Sequence, residues 1–351
     1  FLILPDNRCE DCMKRREFSM YLPAGLMGIK SLASPEQNQH FSKLKKPAML
    51  KKGDKIALIS PAGPVAAEKF ANAVSNMENL GLVPVYNEIA RSTYGYFSAT
   101  DEQRLADLHW AFANPEVKGV WCLRGGYGCT RLLPYIDYGV IKKNHKVFIG
   151  YSDITALHHA FYQKCGLQTF HGPVASSQLF SEYTLQQVKA MFFEGQTEFQ
   201  VSPHIQTEEK YRQEIKMLFP GKAEGRLTGG NLTLLAAMAG TQFAPSYKHK
   251  LVFIEEVGEK PYRIDRMLTQ LSQASDITKC SGIIFGTFYD CEVKTEENSF
   301  NLIEVLQDFV NKIKKPAIYG FPVGHVPDMV TLPMDAQALL DADGNSVIYR
   351  L

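Results

Sequence analysis

From Asp54 onward the chain alternates short apolar runs with longer stretches of helical spacing, and this alternation leaves few architectures open. "DKIALISPAGP" reads as a buried strand, Lys55–Ser60, broken by Pro61, Gly63 and Pro64. "VAAEKFANAVSNMENLG" then places Phe70, Val74, Met77 and Leu80 on one helical face and stops at Gly81. "LVPVYN" is a second strand. "TDEQRLADLHWAFANP" opens a helix on the N-cap Thr100, with acidic residues in its first turn, and ends near Pro115. "VKGVWCLRGG", "HKVFIGYSD" and "LQTFHGP" supply three more strands. Strands this apolar, separated by helices, require a parallel sheet covered on both faces.

The expected fold is therefore α/β: an N-terminal flavodoxin/Rossmann-like parallel sheet domain over residues 46–175, and a second, smaller α/β domain over 223–351. Between them, 176–222 loses the rhythm. Its stretch "SPHIQTEEKYRQEIKMLFPGKAEG" is polar and rich in breakers, which marks an interdomain connection. In the second unit "GRLTGGNLTLLAAMAGT" reads as a loop into a helix. "KLVFIEEVGEKPYRIDRMLTQLSQA" reads as strand, loop and helix. "CSGIIFGTF", "NLIEVLQDFVNKI" and "PAIYGFPVGH" continue as strand, helix and strand. The active site is expected at the cleft between the two domains.

Composition narrows the function. With 351 residues and 45% hydrophobic content, the chain can bury a large core. Thirty-eight basic against 37 acidic residues argue against a general nucleic-acid binder. No apolar run reaches the roughly 18 residues a spanning helix needs. Cys9 and Cys12 form a CxxC without a second pair at zinc-finger spacing, and Cys122, Cys129, Cys165, Cys280 and Cys291 are scattered; no disulfide framework or metal site is expected. Residues 1–45 form a leader. "MKRREFSMYLPAGLMGIKSLAS", with Arg15-Arg16-Glu17-Phe18 at its core, is similar to a twin-arginine export signal, and a disordered basic leader is the alternative. The compartment is accordingly cytoplasmic, or periplasmic if that signal functions.

In open α/β sheets, ligands sit beyond the carboxyl ends of the strands. Arg124-Gly125-Gly126-Tyr127-Gly128 follows one strand end, Ser152 another, Glu255-Glu256 close a third, and His325 follows a fourth. A hydroxyl, a base to take its proton, and a carboxylate to orient that base are what acyl transfer needs. At a strand–serine–helix turn, the amide of Asp153 lies at a helix N-terminus and can face an oxyanion. Two readings of Ser152 stand on these residues alone: nucleophile, or plain helix cap. "GYSDI" is not the G-x-S-x-G elbow.

Taken in order, "GDKIALISPAGP", "LRGGYGCTRLLPYIDY", "FIGYSDITALHHAF", "FHGPV", "GRLTGGNLTLL", "LVFIEEVGEKPYRIDRML" and "GFPVGH" resemble the LD-carboxypeptidase family of serine peptidases, over roughly residues 48–351. That family includes murein tetrapeptide carboxypeptidases and microcin C immunity peptidases. The resemblance implies a Ser-Glu-His triad without metal or cofactor, acting on a murein tetrapeptide to release a C-terminal D-alanine through an acyl-enzyme. It implies Ser152 as nucleophile, Glu255 as orienting carboxylate and His325 as base. Oxyanion donors would be the amides of Asp153 and Gly126, with Arg124, Gly125 and Tyr127 as substrate-binding residues. It further implies a homodimer. The alternatives are a hydrolase of a peptidyl-nucleotide antibiotic and a non-catalytic binder of cell-wall peptides. The chain departs from the family pattern after Gly324-His325, where Val326-Pro327-Asp328 follows.

Several neighbours have bland readings. Successive strand residues face opposite ways, so only one of Glu255 and Glu256 faces the site, leaving the other as a solvated strand-end charge. Arg124 reads as a fork for a substrate carboxylate or as an ion pair fixing the glycine loop. Asn231 reads as an N-cap, Cys129 as packing, His158 and His159 as packing or solvent-facing, and His171 as cleft lining or a hydrogen-bonded structural histidine.

Overall fold

The structure, a computed structural model, describes residues 44–351 apart from 179, 214 and 294–297. The CxxC and the twin-arginine-like stretch lie outside the described residues. By Lys45 the chain is already paired, its amide donating to the Gly166 carbonyl at 2.8 Å.

The first sheet uses β1 (Lys55–Ile59), β2 (Val83–Val85), β3 (Val117–Cys122), β4 (Val147–Gly150) and β5 (Phe170–His171). All are parallel, in the order β2-β1-β3-β4-β5, the flavodoxin-like winding. The helices between them are α1 (Ala67–Asn79), α2 (Asp101–Ala113), α3 (Cys129–Leu132), α4 (Tyr138–Lys143) and α5 (Thr155–Cys165). Thr100 caps α2 as expected, and Gln103 completes a capping box. Strand side chains alternate between two apolar cores. Ala57, Ile59, Val120, Cys122 and Phe148 enter one, while Ile56, Leu58, Trp121 and Ile149 enter the other. Burial on both faces is why these strands read as unbroken apolar runs.

The segment read as a connection contributes more than a link. It holds α6 (Glu182–Phe192), β6 (Glu198–Val201) and β7 (Lys216–Phe219). Both strands join the second sheet, whose order is β6-β14-β13-β8-β9-β10-β11-β7. The remaining members are β8 (Lys222–Asn231), β9 (Lys250–Val257), β10 (Gly282–Tyr289), β11 (Ala317–Tyr319), β13 (Gln337–Asp341) and β14 (Ser346–Arg350), with helices α7 (Leu232–Met238), α8 (Pro261–Ala274) and α9 (Leu302–Ile313). β12 (Leu332–Pro333) crosses back to pair antiparallel with β5 of the first sheet.

One expectation is corrected here. The stretch "GRLTGGN" is the C-terminal half of β8, not a loop. Arg226–Asn231 pair in parallel with Lys250–Glu255, and Lys222–Arg226 pair antiparallel with Gln337–Asp341. Pairing along β8 from distant chain segments fixes a glycine-rich strand that its own side chains do not announce. Among the described residues, no helix is long and apolar enough to cross a membrane.

Candidate active site

The chain turns sharply where β4 meets α5, and Ser152 takes a φ of 65° there. A left-handed serine is costly and persists only where its surroundings over-determine it. The capping reading of Ser152 is not met: neither the short 3₁₀ turn Ser152–Ile154 nor α5 has a side-chain cap, and α5 begins after Ile154. The neighbours hold the elbow from two sides. Asp153 is buried, and its Oδ2 accepts from the Cys129 amide at 2.8 Å, tying the start of α3 to the turn. Burial raises the Asp153 pKa, and the Cys129 donors only partly offset this.

Gly125 lies against the serine itself. A Cβ added there would stand 2.8 Å from Ser152 Cβ, 2.9 Å from Oγ and 3.1 Å from the Asp153 amide nitrogen. Only a residue without a side chain lets this loop approach so closely. The Gly125 carbonyl also accepts from the Gly63 amide at 3.2 Å, joining the loops that follow β1 and β3. Arg124 is exposed, donates to the Pro64 carbonyl at 2.9 Å, and lines a cavity of about 510 Å³ with Gly63, Tyr96, Gly126 and Tyr127. An ion pair fixing the glycine loop is not what holds Arg124; its one hydrogen bond among the described residues is to backbone.

The other half of the site comes from the second sheet. Glu255, fully buried near the end of β9, accepts from His325 Nδ1 through Oε2 at 2.9 Å. Gly324 makes this fit, because a Cβ there would come within 3.1 Å of that same carboxylate oxygen. Burial alone would lower the His325 pKa, but the Glu255 carboxylate outweighs it and raises it above the usual 6.5. The ring of Tyr151, the residue before Ser152, meets the His325 ring edge-on at 4.7 Å between centroids. The segment carrying the serine is thus in contact with the histidine–carboxylate pair. Beside His325 a cavity of about 650 Å³ opens, lined among others by Tyr151, Tyr183, Tyr211 and Tyr289.

Glu256 points the opposite way, as strand geometry demands, but it is no solvated charge. It is 2% exposed and accepts from Asn231 Nδ2, from the Thr233 amide and hydroxyl, and from the Val257 amide. Three of these donors come from the start of α7, whose packing against β9 no local pattern reveals. Asn231 is the N-cap of α7, accepting from the Leu234 amide. His158 and His159 are buried on the Gly150 and Gly229 carbonyls. His171 is buried with neither ring nitrogen hydrogen-bonded among the described residues, which corrects the expectation of a hydrogen-bonded structural histidine. It packs edge-on to Phe253 and Tyr151, and burial drives its pKa down, so it stays neutral.

The reading of the sequence missed Asp328. It is fully buried three residues past His325 and receives Thr207 and His204 from the connecting segment. Burial works to raise its pKa, yet the hydrogen bonds from Thr207, His204 and Ser181 prevail and hold it at about 2.

A strained serine elbow over one parallel sheet, touching a histidine–carboxylate pair from another, defines a hydrolytic enzyme of the serine class. Comparison with known proteins specifies it. Residues 56–172 match the LD-carboxypeptidase N-terminal domain and residues 224–340 its C-terminal domain, so the chain belongs to the LD-carboxypeptidase family. It is 40% identical over 309 residues to a probable murein peptide carboxypeptidase of Bacillus subtilis (strain 168), covering 88% of this chain and 95% of the relative. It is 33% identical over 296 residues to the murein tetrapeptide carboxypeptidase of Pseudomonas aeruginosa, covering 82% and 94%. Among solved structures, an MccF-like protein from Bacillus anthracis superposes with a TM-score of 0.77 at 29% identity, covering 87% of this chain and 99% of that one.

Proposed function

We propose that this protein hydrolyses the L,D amide bond that holds a C-terminal D-alanine on a murein tetrapeptide, with Ser152 as nucleophile, His325 as base and Glu255 as its orienting carboxylate. The observation that carries the reading is the 2.9 Å contact of His325 Nδ1 with Glu255, made next to a serine in a left-handed elbow. With Nδ1 donating to the carboxylate, Nε2 is left to accept a proton. Ser152 Oγ attacks the amide carbonyl carbon and gives its proton to His325. The carbonyl oxygen gains negative charge facing the amides of Asp153 and Gly126, where a helix start and a side-chain-free loop favour it. The C–N bond breaks, D-alanine leaves with the proton from His325, and the acyl group stays on Oγ. Water then enters, His325 takes its proton, and the acyl-enzyme is hydrolysed. Glu255 stays ionised throughout and stabilises the imidazolium. Arg124, Gly125 and Tyr127 would receive the peptide on the oxyanion side.

Mass spectrometry of a murein tetrapeptide incubated with the protein tests this directly. The wild type should release D-alanine and leave the tripeptide. Ser152→Ala should lower turnover about 10⁴-fold or more while the protein still folds. Retained turnover in that variant would sink the assignment.

A further inference from the structure

The cavity beside His325 has one wall that belongs to neither strand end of the site. That wall is the segment from His204 to Tyr211, which supplies Thr207, Glu208 and Tyr211 to the lining. It contains no strand and has one short 3₁₀ turn, Glu209–Tyr211, so its position depends on what holds it.

Asp328 holds it at one end. Oδ2 accepts from the Thr207 amide at 2.8 Å, the Thr207 hydroxyl at 2.7 Å and His204 Nε2 at 3.0 Å. Its backbone is read too, the amide donating to Gln206 Oε1 at 3.1 Å and the carbonyl accepting from Gln206 Nε2 at 2.8 Å. The far end rests on β10, where the Tyr211 and Tyr289 rings lie 4.7 Å apart. Asp328 itself cannot drift, because the turn around it is fixed on α6. The Thr184 hydroxyl donates to the Pro327 carbonyl at 2.7 Å and accepts from the Met329 amide at 2.8 Å. One buried residue, by its carboxylate and its backbone, therefore fixes the spacing between a cavity wall and the loop bearing His325. This carboxylate sits where the sequence leaves the family pattern.

We propose that Asp328 is a positioning residue that sets the substrate cavity: by clamping 204–207 to the His325 loop, it fixes the wall that grips the peptide portion remote from the scissile bond. The clamp touches neither Ser152 nor the His325–Glu255 hydrogen bond, so its loss falls on binding and leaves the chemical step intact. In Asp328→Asn the carboxamide oxygen takes the place of Oδ2 and its NH2 the place of Oδ1, which has no hydrogen-bond partner among the described residues, so the bonds from Thr207 and His204 lose their charge assistance.

The proposal rests on the peptidase reading for its substrate, and the experiment separates the two. Kinetics are measured for Asp328→Asn and for Thr207→Val with a murein tetrapeptide and with a truncated dipeptide carrying the same L,D bond. The rate of Ser152 labelling by a fluorophosphonate and the hydrogen exchange of residues 204–208 are followed alongside. For Asp328→Asn the tetrapeptide KM should rise about tenfold, with kcat, dipeptide KM and labelling near wild type. Thr207→Val should give a smaller rise of the same kind. Amide protection at 204–208 should fall in Asp328→Asn. A fall in kcat and labelling together, or unchanged protection, would overturn the proposal. Should Asp328→Asn fail to fold, Thr207→Val decides by the same criteria. If the wild type neither labels nor cleaves either substrate, the peptidase reading fails; exchange at 204–208 still tests the clamp, and tetrapeptide affinity measured by calorimetry decides the wall's role in binding.

Discussion

The two halves of the site are built by different physics. On the first sheet Ser152 is placed by backbone: a left-handed φ, a glycine loop pressed against it, and a neighbouring carboxylate that secures α3. On the second sheet His325 is placed by side-chain charge, through one hydrogen bond to a buried glutamate. A nucleophile has to stand clear of hydrogen bonds that would blunt it, so shape has to orient it. A base has to be held in one tautomer, which a carboxylate does well. The elbow should therefore be sensitive to added volume and the pair to lost charge.

The largest effect should come from charge. Glu255→Gln keeps the shape and removes the charge, and kcat should fall by about 10³- to 10⁴-fold. Glu256→Gln, one residue on, should leave kcat nearly unchanged and cost about 1–3 kcal/mol of stability, since its four donors answer a buried carboxylate. Steady-state rates and thermal melts of the two variants separate these roles; equal losses of rate would erase the contrast between the two faces of β9.

Volume should matter next. Gly125→Ala puts a Cβ 2.8 Å from Ser152 Cβ, so loop or serine has to move. The strain is expected to cost about 1–3 kcal/mol, and displacement of the reacting atoms to slow turnover about 10- to 100-fold. A Gly125→Ala enzyme with wild-type kcat would mean that the elbow does not depend on this approach.

The mildest effect is on pH dependence. In the proposed mechanism His325 serves as base only when neutral, and Glu255 raises its pKa. The acidic limb of kcat against pH should therefore have its midpoint above 6.5, with activity lost as pH falls through it. In Glu255→Gln the residual activity should show that limb moved to lower pH. A midpoint that stays put would mean that the carboxylate does not govern the titration.

The sequence carried the parallel sheet because helices alternate with strands too apolar to face water on either side. It also carried Ser152, Glu255 and His325 as candidates, because each follows or closes a strand, and the ordered motifs joined them. Three features were out of reach. β8 is glycine-rich and becomes a strand only when its neighbours pair with it. Glu256 looked solvated because its donors, Asn231 and Thr233, lie more than twenty residues away in the chain. Asp328 appeared only as a departure from a pattern, since His204 and Thr207 reach it from the segment read as a connection.

The order of residues alone determined which elements form and which groups stand at their ends, because periodicity, caps and breakers act over a few residues. Tertiary structure alone decided which buried carboxylate meets which donor, because hydrogen bonds of 3 Å between segments more than a hundred positions apart, such as Asp328 and Thr207, leave no local trace.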